Sequence, residues 1–406
     1  MTLLSYGRGM AIVAATLAAA GTATAQDVKI GALNGMTGGL AAYAPPIIDG
    51  QQLAVNHVNE QGGILNGRKL ELVLGDTQSN PAGAVDAAQK LISVDGVVGI
   101  VGALASSATI ASATSVSVPA GVPQISPAST SPAITALDDK DFLFRTTVSD
   151  AYQGVVLADV VKKRGLNKVA LTYINNDYGK GLAESFRAAY TKAGGTVTGD
   201  APHEENKASY RAELATLAKG GPEALVTIAY PDSGGKIILR QSLENGFFNT
   251  FIFTDGMRQG EVVSEIGAAN LKGSFGTAPE APGETTAAKR FEEAYSAAFG
   301  TTKDKFFIRE AYDAAMLMAL AIEKSGSTDP AKVRDALRQV CCAPGEKIEP
   351  GEWEKARQAI SAGKDVNYVG ASGDHEFDAQ GDVAGSIGHW EIQANGDIKV
   401  LEVFGQ

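Results

Sequence analysis

After its first 25 residues the chain alternates short apolar runs with stretches of helical period. Val28 to Asn34 (VKIGALN) predicts a buried strand, and Gly35 to Ala44 a Gly-rich loop. Pro45 and Pro46 suit a helix start, with Ile48, Leu53, Ala54, Val55 and Val58 facing inward to about Asn59. Lys69 to Gly75 predicts a second strand, and Asn80-Pro81 opens a helix carrying Val85, Ala88, Leu91 and Ile92. Val97 to Val101, Pro123 to Ser126 and Phe142 to Val148 complete a first series of strands. Alternation at this spacing points to parallel βαβ units.

A second series begins at Lys168. Strands are expected at Lys168 to Asn175, Leu225 to Tyr230 and Phe251 to Thr254, with helices opening at Asp177 and Ile237. A short strand at Ser274 to Thr277 precedes three helices: Ala287 to Ala298, Ile308 to Glu323 and Ala331 to about Val340. These have too few strands for a domain of their own and are expected to pack on the first lobe. Glu376 to Asp382 and Gly388 to Phe404 read as a terminal β region, with Asn395-Gly396 as a hairpin turn. The expected fold is α/β, with two Rossmann-like lobes, a cleft between them and a hinge crossed three times, near Thr146, Pro279 and Gly373. Lobe 1 is assigned to residues 26–146 and 279–373, and lobe 2 to 147–278 and 374–406.

The first 25 residues change the picture. Arg8 precedes the Ala-rich run Ala11 to Ala20, and Ala23-Thr24-Ala25 is a small-x-small site before Gln26. Residues 1–25 therefore read as a cleaved secretory signal peptide, too short in its apolar part to span a bilayer. Of all residues 44% are hydrophobic and 20% charged, which excludes wholesale disorder. The net charge of −11, one unit more negative without Arg8, argues against nucleic acid or an anionic membrane as partner. Cys341 and Cys342 are adjacent, and the readings that stand are a vicinal disulfide, a reduced pair or a pair buried as apolar residues. His57, His203, His375 and His389 are scattered, so a zinc site and a His-based triad both lack material. Asp374, Asp378 and Asp382 do not fit a calcium loop and are expected to be solvated.

The candidate chemistry lies in Val97 to Pro132. One strand ends at Gly102 and is followed by Ser106, Ser107, Ala108 and Thr109 at a helix start. The next delivers Ala128, Ser129 and Thr130. Hydroxyls and free N–H groups gathered there form a cradle for a carboxylate. The same residues equally serve as ordinary caps. Asp255 stands at a strand end in the other lobe. A zwitterion reaching both would draw the lobes together.

With these residues in view, the chain resembles periplasmic substrate-binding proteins of ABC transporters, of the leucine/isoleucine/valine-binding type. The resemblance rests on IGALNGMTGGLAAYA, VNEQGGILNGRKLEL, GALASSAT, ISPASTSP, NNDYGKGLAESF and Tyr230-Pro231, in that order from about Val28 to Ala319. It implies a type I periplasmic binding protein fold in which Ser106, Ala128 and Thr130 hold the ligand's α-carboxylate. It further implies that Asp255 pairs with the ammonium and that Tyr43, Tyr178 and Tyr230 line the closing cleft. That family's acid is commonly Glu, one methylene longer than Asp255. Arg258 either neutralises Asp255 or meets a second carboxylate on the ligand. Phe306 and Phe307 are within reach of a ligand side chain but fit an aromatic core better. The Gly345 to Gly370 insert has no counterpart with an assigned role.

The chain lacks a GxSxG elbow, an HExxH helix, a phosphate loop and GxGxxG spacing. The reading is a periplasmic, monomeric, non-enzymatic receptor without cofactor or metal. It would bind a neutral amino acid with an apolar side chain, branched-chain or similar, and pass it to an ABC permease. The alternatives are an amide or aromatic carboxylate in the same fold, a sensory binding protein and, remotely, a secreted enzyme.

Overall fold

A computed structural model of the chain describes residue 2 and residues 26–281, 283 and 285–405. The expected signal segment lies, but for residue 2, outside the described residues. Five strands, β1 (Val28–Asn34), β2 (Leu70–Asp76), β3 (Ile100–Gly102), β4 (Gln124–Ser126) and β5 (Leu143–Arg145), form one parallel sheet in the order β2-β1-β3-β4-β5. A second sheet follows the order β14-β13-β10-β9-β8-β6-β7. Its strands are β6 (Lys168–Ile174), β7 (Thr196–His203), β8 (Ala224–Ile228), β9 (Phe251–Phe253), β10 (Phe275–Pro279), β13 (Ser386–Ile392) and β14 (Ile398–Gly405). It is parallel except for β13 and β14, which pair antiparallel at one edge. Two short strands, β11 (Glu346–Ile348) and β12 (Val366–Tyr368), pair in parallel within the insert.

Each large sheet is the core of one lobe. Behind the first runs the helix Ile308–Ser325, in which every residue from Glu310 to Ile322 is buried. Its AYDAAMLMALAI text is apolar around most of the circumference, as a helix enclosed on all sides requires. It packs against the helices Ala44–Glu60 and Pro330–Cys341 and reaches β3 and β4. Trp353 of the insert is fully buried in the same core and donates through Nε1 to the Gly63 carbonyl (3.0 Å). The second lobe buries the face of helix Asp177–Lys192 that carries Leu182, Phe186 and Tyr190.

The chain passes between the sheets after β5, after β10 and ahead of β13. The last passage is pinned at both ends. Asp313 on the long helix accepts from Tyr368 OH (2.6 Å) and from the backbone N–H groups of Ala371 and Ser372 (both 2.8 Å). Fully buried Arg145 makes a two-pronged pair with Asp382, Nε to Oδ1 at 2.7 Å and Nη2 to Oδ2 at 2.6 Å.

Several expectations are corrected. Asp382 is an ion-pair partner rather than a solvated acid, and Asp378 accepts the N–H groups of Gln380 and Asp382. Those turn bonds leave Glu376 to Asp382 without strand structure. Ile47, not Ile48, is the buried residue of its helical turn, and β7 was not anticipated. Of the readings left open for Cys341 and Cys342, the disulfide is the one present, at the end of their helix.

Candidate functional site

Parallel strands leave their side chains and following loops gathered at their carboxyl ends, where α/β proteins place ligands. Here the carboxyl ends of β1, β3 and β4 in one lobe face those of β6, β8 and β9 in the other. Between them lies a small cavity lined by Leu40, Tyr43, Ile47, Leu104, Ser106, Ala128, Tyr178, Tyr230, Asp255, Gly256 and Phe307. Six of the seven residues singled out in the sequence meet at this one place: Tyr43, Ser106, Ala128, Tyr178, Tyr230 and Asp255.

The first-lobe wall is an ordered loop system. Gly102 (φ +136°) runs against β1, and a Cβ there would sit 2.0 Å from the Leu33 carbonyl oxygen, so only glycine fits. Several of the hydroxyls that follow serve the loops themselves. Thr109 Oγ1 accepts the Ala103 N–H (3.0 Å) and meets Ser129 Oγ (2.7 Å). Ser126 Oγ donates to the Ala103 carbonyl (2.7 Å) and accepts the Ser129 N–H (3.0 Å). Gln124 Nε2 donates to the Gly102 carbonyl (3.0 Å). The helix at Ser106 has Ala105 at its N-cap and no side-chain cap, so Thr109 and Ser129 brace the loops instead, while Ser106 lines the cavity.

Thr130 is not among the lining residues. Its hydroxyl donates to Asp150 Oδ2 (2.8 Å), and the Asp150 N–H returns to the Thr130 carbonyl (2.8 Å). This reciprocal pair joins the first-lobe loop to the start of the helix Asp150–Lys163 in the second lobe.

The second-lobe wall is aromatic and acidic. Tyr178 and Tyr230 stack with ring centroids 5.2 Å apart and planes 7° from parallel. Tyr178 OH donates to Asp255 Oδ1 (2.9 Å), which also accepts from Gln153 Nε2 (2.9 Å). Both donors are neutral. Burial pushes the Asp255 carboxyl up to about 6, against the lowering effect of those hydrogen bonds. Tyr43 OH crosses the cleft to donate to the backbone carbonyls of Gly256 (3.1 Å) and Asp255 (3.3 Å). Gly39 also crosses closely, since a Cβ there would lie 2.0 Å from Ser233 Oγ.

Arg258 does not neutralise Asp255 and is not among the lining residues of the cavity. Its Nη1 pairs with Glu280 (2.7 Å) and its guanidinium lies 4.2 Å from the Phe306 ring centre. Phe307, expected in the core, lines the cavity from an αL position (φ 60°) ahead of its helix. Leu40, Ile47, Leu104 and Gly256 were missed as lining residues. Leu40 and Ile47 flank Tyr43, so their place beside the first loop was the available signal. No group of three or more His, Cys, Asp or Glu is placed to hold a metal among the described residues.

Ser106 and Ala128 offer neutral polar groups, the acid stands opposite, and Leu40, Ile47, Leu104 and Phe307 supply apolar walls. The arrangement suits a small molecule with an anionic head, a cationic neighbour and an apolar tail. Residues 27–349 match the profile of a family described as periplasmic binding protein. A leucine-, isoleucine-, valine-, threonine- and alanine-binding protein of Pseudomonas aeruginosa is 31% identical over 80% of this chain and 86% of its own. A leucine-binding protein of Thermotoga maritima superposes with TM-score 0.78 at 28% identity, covering 93% of this chain and 99% of that one. A branched-chain amino acid transporter substrate-binding protein of Streptococcus pneumoniae, solved with isoleucine, gives TM-score 0.78 at 26% identity over 94% and 100%.

Proposed function

The chain belongs to the periplasmic binding protein family, and on that premise we propose that it captures a neutral amino acid between its lobes and delivers it to an ABC permease. The observation that carries this reading is the position of Asp255. It is the acid in the cavity wall, and it faces Ser106 and Ala128 across an apolar pocket. The ligand's carboxylate sits at Ser106 and the backbone around Ala128, its ammonium at Asp255, and its side chain among Leu40, Ile47, Leu104 and Phe307.

Hydrogen bonds to charged groups contribute about 1.5–3 kcal/mol each. Three or four of them, with an apolar side chain buried, suffice for the roughly −8 kcal/mol of micromolar binding after the cost of association. The loops of the first wall are already braced internally, which limits what remains to be ordered on binding. No turnover follows capture, and the monomeric receptor acts in the periplasm after removal of residues 1–25.

Calorimetry of the ligand-stripped protein tests the reading. Leucine, isoleucine, valine and alanine are expected to bind at micromolar concentration or below, and glutamate, simple amides and benzoate much more weakly. Binding of benzoate or an amide with no amino acid would overturn the role given to Asp255.

A further inference from the structure

Behind Asp255 lies a second carboxyl that the cavity does not touch. Asp150 is fully buried in the first turn of the helix Asp150–Lys163. Gln153, one helical turn on, shares its face and holds Asp255 through Nε2. The two acids thus flank one glutamine. Asp150 Oδ2 takes the Thr130 hydroxyl, but among the described residues Asp150 Oδ1 has no partner, and neither do Gln153 Oε1 and Thr277 Oγ1.

We infer that Asp150 is a positioning residue that shares one proton with Asp255, and that the ammonium of a bound amino acid displaces that proton to solvent. The inference rests on the amino-acid reading of the cavity above. Its physical basis is the imbalance of charge on this wall. Two buried carboxyls that act on one another cannot both ionise cheaply without a cation. Their direct donors are Thr130, Gln153, Tyr178 and backbone N–H groups, all neutral. The charged and titratable groups that act on Asp150 are Asp255 after β9 and Arg145 on β5, with Tyr178 and Tyr230 facing it from the next helix and strand end. The charge of Arg145 is already engaged by Asp382. The helix start favours an ionised Asp150. Burial, with the Asp255 charge next, acts the other way and holds its carboxyl well above the usual range.

The balance of the step is simple. The free pair carries one proton and one negative charge. The ligand's ammonium brings one positive charge, the shared proton leaves for water, and the wall then holds two carboxylates against one cation. Affinity therefore rises with pH until the free pair is fully ionised, and levels off above that point. Asp150 does not touch the ligand. It sets the proton load of the acid that does.

Calorimetric titration with L-leucine, L-isoleucine, L-valine and L-alanine, in two buffers of different ionisation enthalpy, counts the protons. The unaltered protein is expected to release about one proton per ligand near pH 6, with affinity rising up to about tenfold per pH unit below the pair's upper titration. Asp150→Asn keeps an acceptor for Thr130 and is expected to cut the release by about half or more. Thr130→Val removes the hydroxyl that stabilises the Asp150 anion and is expected to move the pH profile upward. A purely structural role would lower the melting temperature of Asp150→Asn with an unchanged proton count, which would overturn the inference. Binding without proton release in the unaltered protein overturns it even if Asp150→Asn does not fold. Absence of binding heat with all four amino acids overturns the function reading as well.

Discussion

The two walls of the cavity do the same spatial job with opposite chemistry. On the first lobe, Thr109, Ser126, Ser129 and Gln124 spend their hydrogen bonds on one another and on the loop backbone. That wall is neutral where it meets the cavity. On the second lobe, Asp255 and the Asp150 behind it are carboxyls in a dry setting with neutral donors as direct partners. The first wall is a finished structure that a ligand's anion can meet at little cost of ordering. The second is electrostatically incomplete and gains most when a cation arrives. The difference predicts that changes to the first wall's supports will appear in stability, and changes to the second wall in binding.

The largest effect is expected where the first wall's rigidity is anchored. Arg145 Nη1 donates to the Ser131 carbonyl (3.0 Å) while its other nitrogens hold Asp382. Asp382→Ala leaves a fully buried guanidinium without its carboxylate, at a cost of about 3–5 kcal/mol. Denaturant unfolding is expected to show that loss. A midpoint equal to that of the unaltered protein would show that the support lies elsewhere.

Asp255→Ala attacks the other wall. Truncating one member of a buried, hydrogen-bonded charge pair costs about 2–5 kcal/mol of binding. Stability should hold or rise, because a carboxylate that burial disfavours is removed. Calorimetry and thermal unfolding together separate the two quantities. A parallel fall in both would erase the contrast between the walls. Ser106→Ala comes next. It should weaken binding by about 1.5–3 kcal/mol if its hydroxyl meets a carboxylate. The same change removes the acceptor of the Ser131 N–H (3.2 Å), so a modest loss of stability should accompany it.

What was legible in the chain follows the same division. Strand-end residues could be read because apolar runs such as VKIGALN and VVGIV announce buried parallel strands, and a site belongs at their carboxyl ends. Tyr43, Ser106, Ala128, Tyr178, Tyr230 and Asp255 all follow such runs. Thr130 matched a motif, yet its hydroxyl turned to Asp150, the first residue of a helix that no motif marked. Phe307 was within reach of a ligand but assigned to the core, because an αL aromatic ahead of a helix has no periodic signal to decide between the two. The half-exposed strand β7 (TVTGDAPH) lies at the sheet edge, where Gly, Asp and Pro are tolerated and alternation fades. Glu376 to Asp382 gave the opposite error. Its acids organise a turn and pair with Arg145, contacts that exist only once distant segments meet.

The smallest expected effect sharpens the contrast at the point where the walls touch. Tyr43 is 6% exposed, and its ring is packed in the first lobe's contribution to the cavity. Its hydroxyl belongs to neither wall alone, since it reaches the carbonyls of Asp255 and Gly256 across the cleft. Tyr43→Phe keeps the ring and removes only that crossing. A neutral hydrogen bond contributes about 0.5–1.5 kcal/mol, so affinity should fall by roughly two- to tenfold. The bond can form only when the lobes are together. Its loss should therefore raise the ligand's dissociation rate and leave the association rate nearly unchanged. Unfolding midpoints should shift little, because neither lobe's own core uses the hydroxyl. Stopped-flow fluorescence gives both rates. A slower association with unaltered dissociation would mean that Tyr43 guides entry rather than holds the closed cleft, and the two walls would then have to be joined by other contacts, the Thr130–Asp150 pair foremost.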